Sequence, residues 1–227
     1  MFGERWTVYE NKKDIPTCPV HPNCRCWVEE ATLNEAGKKI DSKVYKGQKP
    51  EIQKASDMKF EQAYNKLQEP EGGYTDGTDQ VNDEPTNMGI KQSTLDRYAN
   101  KHPDKNMPSD VKYLTAAQAK EIYKNEYWNN TKIPRIKNDR IRDAVFDMNV
   151  MGDAGRVVQR ALNEYSNINL IVDGIIGSKT ISALNSIPNN KIDDFMQILI
   201  EQRMNNLRGM ANWPTSKNGW TKRTKAY

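Results

Sequence analysis

The chain has 227 residues and a mass of 26.1 kDa, enough for one large or two small domains with a proper interior. Apolar residues make up only 36% and mean hydropathy is −0.90. No apolar run approaches the ~20 residues of a membrane-spanning helix, so stable membrane insertion is not expected. The 34 basic and 30 acidic residues leave a net charge of +4, too mild to point to nucleic acid.

The opening Met1-Phe2-Gly3-Glu4-Arg5-Trp6-Thr7 lacks the basic start and apolar core of a secretory signal. Synthesis in a cytoplasm is therefore the expectation, with another agent delivering the protein to any substrate outside it. Residues 1–50 hold all three cysteines and little periodicity, and read as an irregular segment. Cys18, His21, Cys24 and Cys26 are candidate zinc ligands with knuckle spacing. A complete structural site, however, pairs two such knuckles across a longer loop, and Cys24 and Cys26 would face opposite sides of a strand. Free thiols in a reducing compartment are the plainer reading of an odd cysteine count, and no cofactor is expected. Pro50 and the polar stretch 43–54 read as a linker.

From Ala55 to Glu69, Phe60, Ala63, Tyr64 and Leu67 recur at helical spacing and predict one apolar helix face. Ser56 or Asp57 is expected to cap its start, and Pro70 to stop it near Glu69. Glu71 then stands at a helix exit, before Gly72-Gly73-Tyr74 and an acidic, glycine-rich loop. A rigidly held carboxyl followed by further acids suits glycoside cleavage, in which one carboxylic acid protonates the leaving oxygen and a second carboxylate activates water or steadies the sugar cation. Glu71 is the candidate acid, with Tyr74 and apolar neighbours expected to raise its pKa. Asp76, Asp79 and Asp83 are candidates for the second role, and Thr86 can orient a water. A solvated loop is the competing reading. A calcium loop fits less well, because the acids do not follow the twelve-residue spacing.

Further on, Thr115 and Gln118 form a capping box for a helix to about Trp128. That helix carries Ala119, Ile122, Tyr123 and Tyr127 on one face. Tyr127 and Trp128 either close the core, the usual role of aromatics at helical spacing, or line a sugar groove. A helix over about 138–151 presents Ile141, Val145, Phe146 and Asn149, with Asp147 expected at solvent or in a cap. Beyond Gly152, Val157, Val158, Ala161 and Leu162 form another face, and Val172-Asp173-Gly174-Ile175-Ile176-Gly177-Ser178-Lys179-Thr180 a turn. Ile181 and Leu184 mark a short helix, and Ile192, Phe195, Met196, Leu199 and Ile200 a longer one over about 191–208. After Glu201 only basic charges follow, at Arg203, Arg208, Lys217, Lys222, Arg223 and Lys225. Such a tail would favour an anionic polymer, and Trp213 and Trp220 would either stack on glycan faces or pack on the core.

Glu71-Gly72-Gly73-Tyr74 with Thr86-Asn87-Met88-Gly89-Ile90 resembles glycoside hydrolase family 108, lysozyme-like enzymes of phage endolysins and secretion-linked muramidases. The resemblance implies that Glu71 is the catalytic acid, and that residues 55–142 form the catalytic domain, with substrate contacts at Tyr74, Asn87, Tyr127 and Trp128. It covers the Lys120-Glu121-Ile122-Tyr123-Lys124 stretch up to Tyr127-Trp128 as well. Family members usually carry two glycines shortly before the Thr, where this chain has Asp83-Glu84-Pro85. The wider phage-lysozyme pattern of Glu, Asp and Thr fits Glu71, Asp79 and Thr86, which places Asp79 ahead of Asp83 and Asp76 as the second carboxylate.

Val157 to Asn163 and Val172 to Thr180 resemble the predicted peptidoglycan-binding domain that follows such catalytic domains, here residues 143–227. His21-Pro22-Asn23-Cys24-Arg25-Cys26 resembles the end of Mu-type F-like minor head proteins of tailed phages.

Together these readings imply a mainly α chain: a lysozyme-like catalytic domain, a small helical C-terminal module and an irregular N-terminal segment. The expected function is muramidase cleavage of peptidoglycan by a monomer, reaching the wall through a holin, a secretion route or a virion. A lytic transglycosylase or a silent wall-binding or virion structural protein are the alternatives.

Overall fold

A computed structural model describes residues 50–68, 73–78 and 84–227, with the side chains of 50–53 and 68 left aside. The chain divides into the units Met1–Lys54 and Ala55–Tyr227. The cysteines and His21, with the zinc and head-protein readings attached to them, lie outside the described residues.

The described chain is mainly α, as expected for a lysozyme-like protein. Helices are α1 (Pro50–Gln68), α2 (Gln92–Lys101), α3 (Ala116–Ile122), α4 (Asp139–Met151), α5 (Ala154–Ser166), α6 (Ser178–Asn185), α7 (Ile192–Arg208) and α8 (Trp213–Thr224). A two-stranded antiparallel sheet, β1 (Thr86–Asn87) and β2 (Ile90–Lys91), stands between α1 and α2.

α1 buries Phe60, Ala63, Tyr64 and Leu67, the face its periodicity predicts. It begins at Pro50 rather than at a cap near Ser56. Proline suits a first helical turn, where its missing N–H has no partner to lose. Ser56, one turn in, accepts from Trp128 Nε1 at 3.4 Å, and Asp57 pairs with Lys124 at 2.9 Å.

The Thr115–Gln118 capping box is present at the start of α3. The α-helix gives way at Tyr123 to a π-helical segment, Tyr123–Asn129. That wider turn rotates Trp128 into the core, where it packs on Phe60 at 5.6 Å and Phe146 at 5.2 Å between ring centroids.

α4 is the innermost helix: every residue from Ile141 to Met148 is buried. Two of these are acids. Asp143 is paired with Arg142 at 2.8 Å, and Asp147 with Arg203 of α7 and, at 2.7 Å, Arg223 of α8. An unpaired carboxylate in this interior would cost several kcal/mol, so each acid comes with its cation. Asp147 is thus an interior group and not a solvent or capping one. Arg203 and Arg223 leave the basic tail to serve it, while Arg208, Lys217, Lys222 and Lys225 stay exposed. Trp213 and Trp220 lie side by side on one face of α8, with ring centroids 6.4 Å apart. The expected border at 142/143 falls inside α4, and one hydrophobic core runs from Phe60 to Leu199 across it.

In the third segment the two sequence motifs are one hydrogen-bonded unit. Gln159, buried on α5, donates to Asp173 Oδ1 at 2.6 Å and to the Ile175 carbonyl at 3.1 Å, and accepts from the Gly174 N–H at 2.9 Å. Asn163, one turn on, exchanges bonds with both backbone groups of Leu170, at 2.9 and 2.8 Å. A Cβ on Gly155 would sit 1.7 Å from the Gly174 carbonyl oxygen, so the turn can lie this close to α5 only over a glycine. Asp173 is held below its ordinary pKa, first by the Gln159 bond and then by the Ile175 N–H.

Candidate active site

The last turn of α1, which leads to Glu71, is anchored to α4. Lys66 Nζ lies 2.8 Å from Asp143 Oδ2, and Gln62 Nε2 donates to the same oxygen at 3.5 Å. The helix exit is therefore fixed to a fully buried carboxylate. Glu71, Asp79 and Asp83 lie outside the described residues.

The chain on either side of the loop is drawn together. Thr75 and Thr86 exchange both backbone hydrogen bonds, at 2.8 and 2.9 Å, an isolated antiparallel bridge that joins Thr75 to β1. Above that bridge Gly77 adopts φ +80°, and a Cβ there would sit 2.4 Å from the Glu84 carbonyl carbon. Gly77 and Glu84 thus form a neck, where the two backbones approach too closely for any side chain at position 77.

Glu84 closes the neck from the other side. Its carboxylate accepts from the Ser93 N–H at 2.9 Å and the Ser93 hydroxyl at 3.0 Å, and pairs with Lys91 at 3.3 Å. The backbone N–H of Ser93, at the start of α2, is the largest cause of its lowered pKa. An acid suits the positive end of a helix, so Glu84 acts here as a helix cap. Sequence reasoning missed it because Glu84 and Ser93 are separated by the hairpin.

That hairpin is a two-residue turn with positive φ at both central residues, Met88 (+49°) and Gly89 (+73°). This is the turn whose twist suits tightly paired strands, and it normally selects Asn-Gly. Methionine in this conformation carries roughly 1–2 kcal/mol of strain. The Tyr123 hydroxyl, from the π-helical segment, donates to the Met88 carbonyl at 3.1 Å and holds it there. Asn87 is buried, and its Nδ2 donates to the carbonyls of Val111 and Lys112 at 3.0 and 3.3 Å. It clamps the hairpin onto the 3-10 turn Val111–Tyr113.

Of the other expected site residues, Thr86 is half-buried and its hydroxyl donates to the Glu84 carbonyl at 3.2 Å, leaving its oxygen lone pairs to accept from a water. Asp76 accepts from the N–H and hydroxyl of Thr78, at 3.1 and 2.7 Å, and so is engaged in its own turn. Tyr74 is 43% exposed, with Lys112 Nζ 5.7 Å from its ring centre. Trp128 is fully buried and cannot face a sugar, which corrects that expectation in favour of the core. Tyr127 is partly buried, packed on Tyr123 at 5.7 Å.

A sequence profile of the family glycosyl hydrolase 108 matches residues 64–152. The matched span runs from Tyr64 in α1 to Gly152, which ends α4 with φ +89°. It takes in the helix exit, the neck, the hairpin and the helix that anchors them. The match supports a glycoside hydrolase, with peptidoglycan hydrolysis as the general activity of the family. It does not extend to residues 1–50 or to the motifs beyond Gly152. Comparison with curated proteins gives no match.

Proposed function

We propose that the protein is a muramidase that hydrolyses the β-1,4 bond between N-acetylmuramic acid and N-acetylglucosamine in bacterial peptidoglycan. Glu71 protonates the leaving oxygen. Asp79, or Asp83 in its place, activates the water or steadies the cation, and Thr86 accepts a hydrogen bond from that water. The observation that carries this reading is the profile match over the segment that frames Glu71. The Thr75–Thr86 bridge and the Gly77–Glu84 neck support it by holding Thr86 in a fixed frame.

In this reading residues 143–227 add affinity for the wall, through the exposed basic residues. A cavity of about 480 Å³ lined by Ile168, Leu170, Lys179 and Ala183 belongs to that segment. The protein acts as a monomer from a phage or prophage, made in the cytoplasm and delivered through a holin, a secretion route or a virion.

The test is loss of turbidity of purified peptidoglycan. Wild type should clear the suspension and Glu71→Gln should not, and equal clearing by both would sink the assignment of Glu71. Mass spectrometry of the released fragments should show reducing ends. Products lighter by one water would replace hydrolysis with internal attack by the sugar itself, the outcome of a lytic transglycosylase.

A further inference from the structure

We propose that Lys112 is a substrate-contacting residue that takes a carboxylate of the muramyl unit or its peptide, beside the Tyr74 ring as the platform for the sugar. This rests on the peptidoglycan reading above and names the chemistry that the site would recognise.

The first observation is a contrast among neighbouring lysines. Between positions 101 and 124 the chain has Lys101, Lys105, Lys112, Lys120 and Lys124. Four of them pair with acids: Lys101 with Glu126, Lys105 with Glu121, Lys120 with Glu61 and Lys124 with Asp57. Lys112 has no acidic partner among the described residues. Its ammonium lies over the ring of Tyr74 instead, a residue three positions after Glu71 in sequence and directly before the Thr75–Thr86 bridge.

The second observation is that the backbone of Lys112 is fixed from several sides. Its N–H donates to Asp110 Oδ1 at 2.8 Å, and its carbonyl accepts from Asn87 of the hairpin. The preceding Val111 N–H donates to Gln92 Oε1 at 2.7 Å. A solvated lysine does not require this bracing. The bracing ties the cation to the same hairpin that carries Thr86, so charge and candidate catalytic groups share one rigid frame.

The chemistry of the ligand follows. An exposed aromatic ring accepts the apolar face of a pyranose, and a cation held against that ring adds selectivity for a sugar bearing an anion. In peptidoglycan that anion is the lactyl carboxylate where the peptide has been removed, or a peptide carboxylate where it has not. A chain built only from N-acetylglucosamine has neither.

The experiment is co-sedimentation with three insoluble polymers: intact peptidoglycan, peptidoglycan stripped of its peptides by an amidase, and chitin. Glu71→Gln is the background, so that turnover does not erode the substrate. Lys112→Met keeps the aliphatic stem on Tyr74 and should weaken binding by about fivefold on a polymer carrying the recognised carboxylate, the scale of a partly exposed ion pair. Lys112→Arg should restore it, and chitin binding should be unchanged. Loss on stripped glycan assigns the lactyl group, and loss confined to intact peptidoglycan assigns the peptide. Equal binding of Lys112→Met to all three polymers, or equal loss on chitin, overturns the proposal. Failure of the wild type to cleave any of them, with the Lys112 effect present, would overturn the hydrolase reading and leave the carboxylate contact standing.

Discussion

Two glycine-rich acidic loops in this chain are held by opposite means. The loop between Asn167 and Gly177 is gripped from within by side chains of one helix, Gln159 and Asn163, and its acid, Asp173, is consumed in the grip. The loop between Gly77 and Glu84 is pinched at its base by backbone contact, by the Thr75–Thr86 bridge and by the Glu84 cap on α2. The first arrangement is a structural joint. The second fastens the backbone at Gly77 and Glu84 and spends Glu84 on the start of α2. In sequence the two look alike, because both are an Asp beside a Gly.

If the contrast is right, substitutions in the two loops should separate activity from stability. Gly77→Ala combines a positive φ with a Cβ inside van der Waals range of the Glu84 backbone. It should lower the rate of wall clearing by about a hundredfold, the scale of an ångström-level misplacement, while calorimetry finds Tm within a few degrees of wild type. A large fall in Tm with activity intact per folded molecule would erase the distinction.

Gln159→Ala should do the reverse. It strands the Gly174 N–H and the Ile175 carbonyl in a partly buried place, for about 2–3 kcal/mol in urea unfolding, with turnover per folded molecule within about twofold of wild type. Smaller is Tyr123→Phe, which deletes only the hydroxyl that holds Met88. About 1 kcal/mol should be lost, and kcat should fall several-fold with KM unchanged, because the hairpin carries Thr86.

The smallest effect concerns Glu84. Its folded pKa is below the ordinary carboxylate value, so the stabilisation it contributes is present above that ordinary value and disappears as pH falls through the lowered one. Glu84→Gln should therefore be less stable than wild type near neutrality, and the two should converge in acid. Parallel stability curves across the acid range would show that Glu84 does not act through its charge.

What the sequence reveals of this fold follows from how local each signal is. The stripe of α1, the Thr115 capping box and the faces of α4, α5 and α7 were legible because their periodicity is written within a few turns. Helix α2 was not, since it buries only Thr94, Leu95 and Tyr98 and its cap comes from Glu84 across a hairpin. Helix α8 was read as a tail because one charge sign runs through it; its fold depends on Arg223 reaching Asp147, 76 positions away. The π-helical segment breaks the 3.6-residue period on which face assignment rests, so Trp128 was open to a surface role until its burial was seen. Within the site, the acid loop and Thr86 were legible as residue types, whereas the neck, the Glu84 cap and the Tyr123 bond are contacts between segments and leave no local mark.

The two arginines on Asp147 also bear on how this protein can be taken apart. The family profile ends at Gly152, and the span it covers would be the natural unit to clone alone. Cut there, the chain would keep a carboxylate in its innermost helix and discard both of its counterions, which arrive from α7 and α8. The segment matched by the profile is thus a part that depends on the rest of the chain, and evolution could exchange the C-terminal helices for another module only by solving the problem of that one buried acid at the same time.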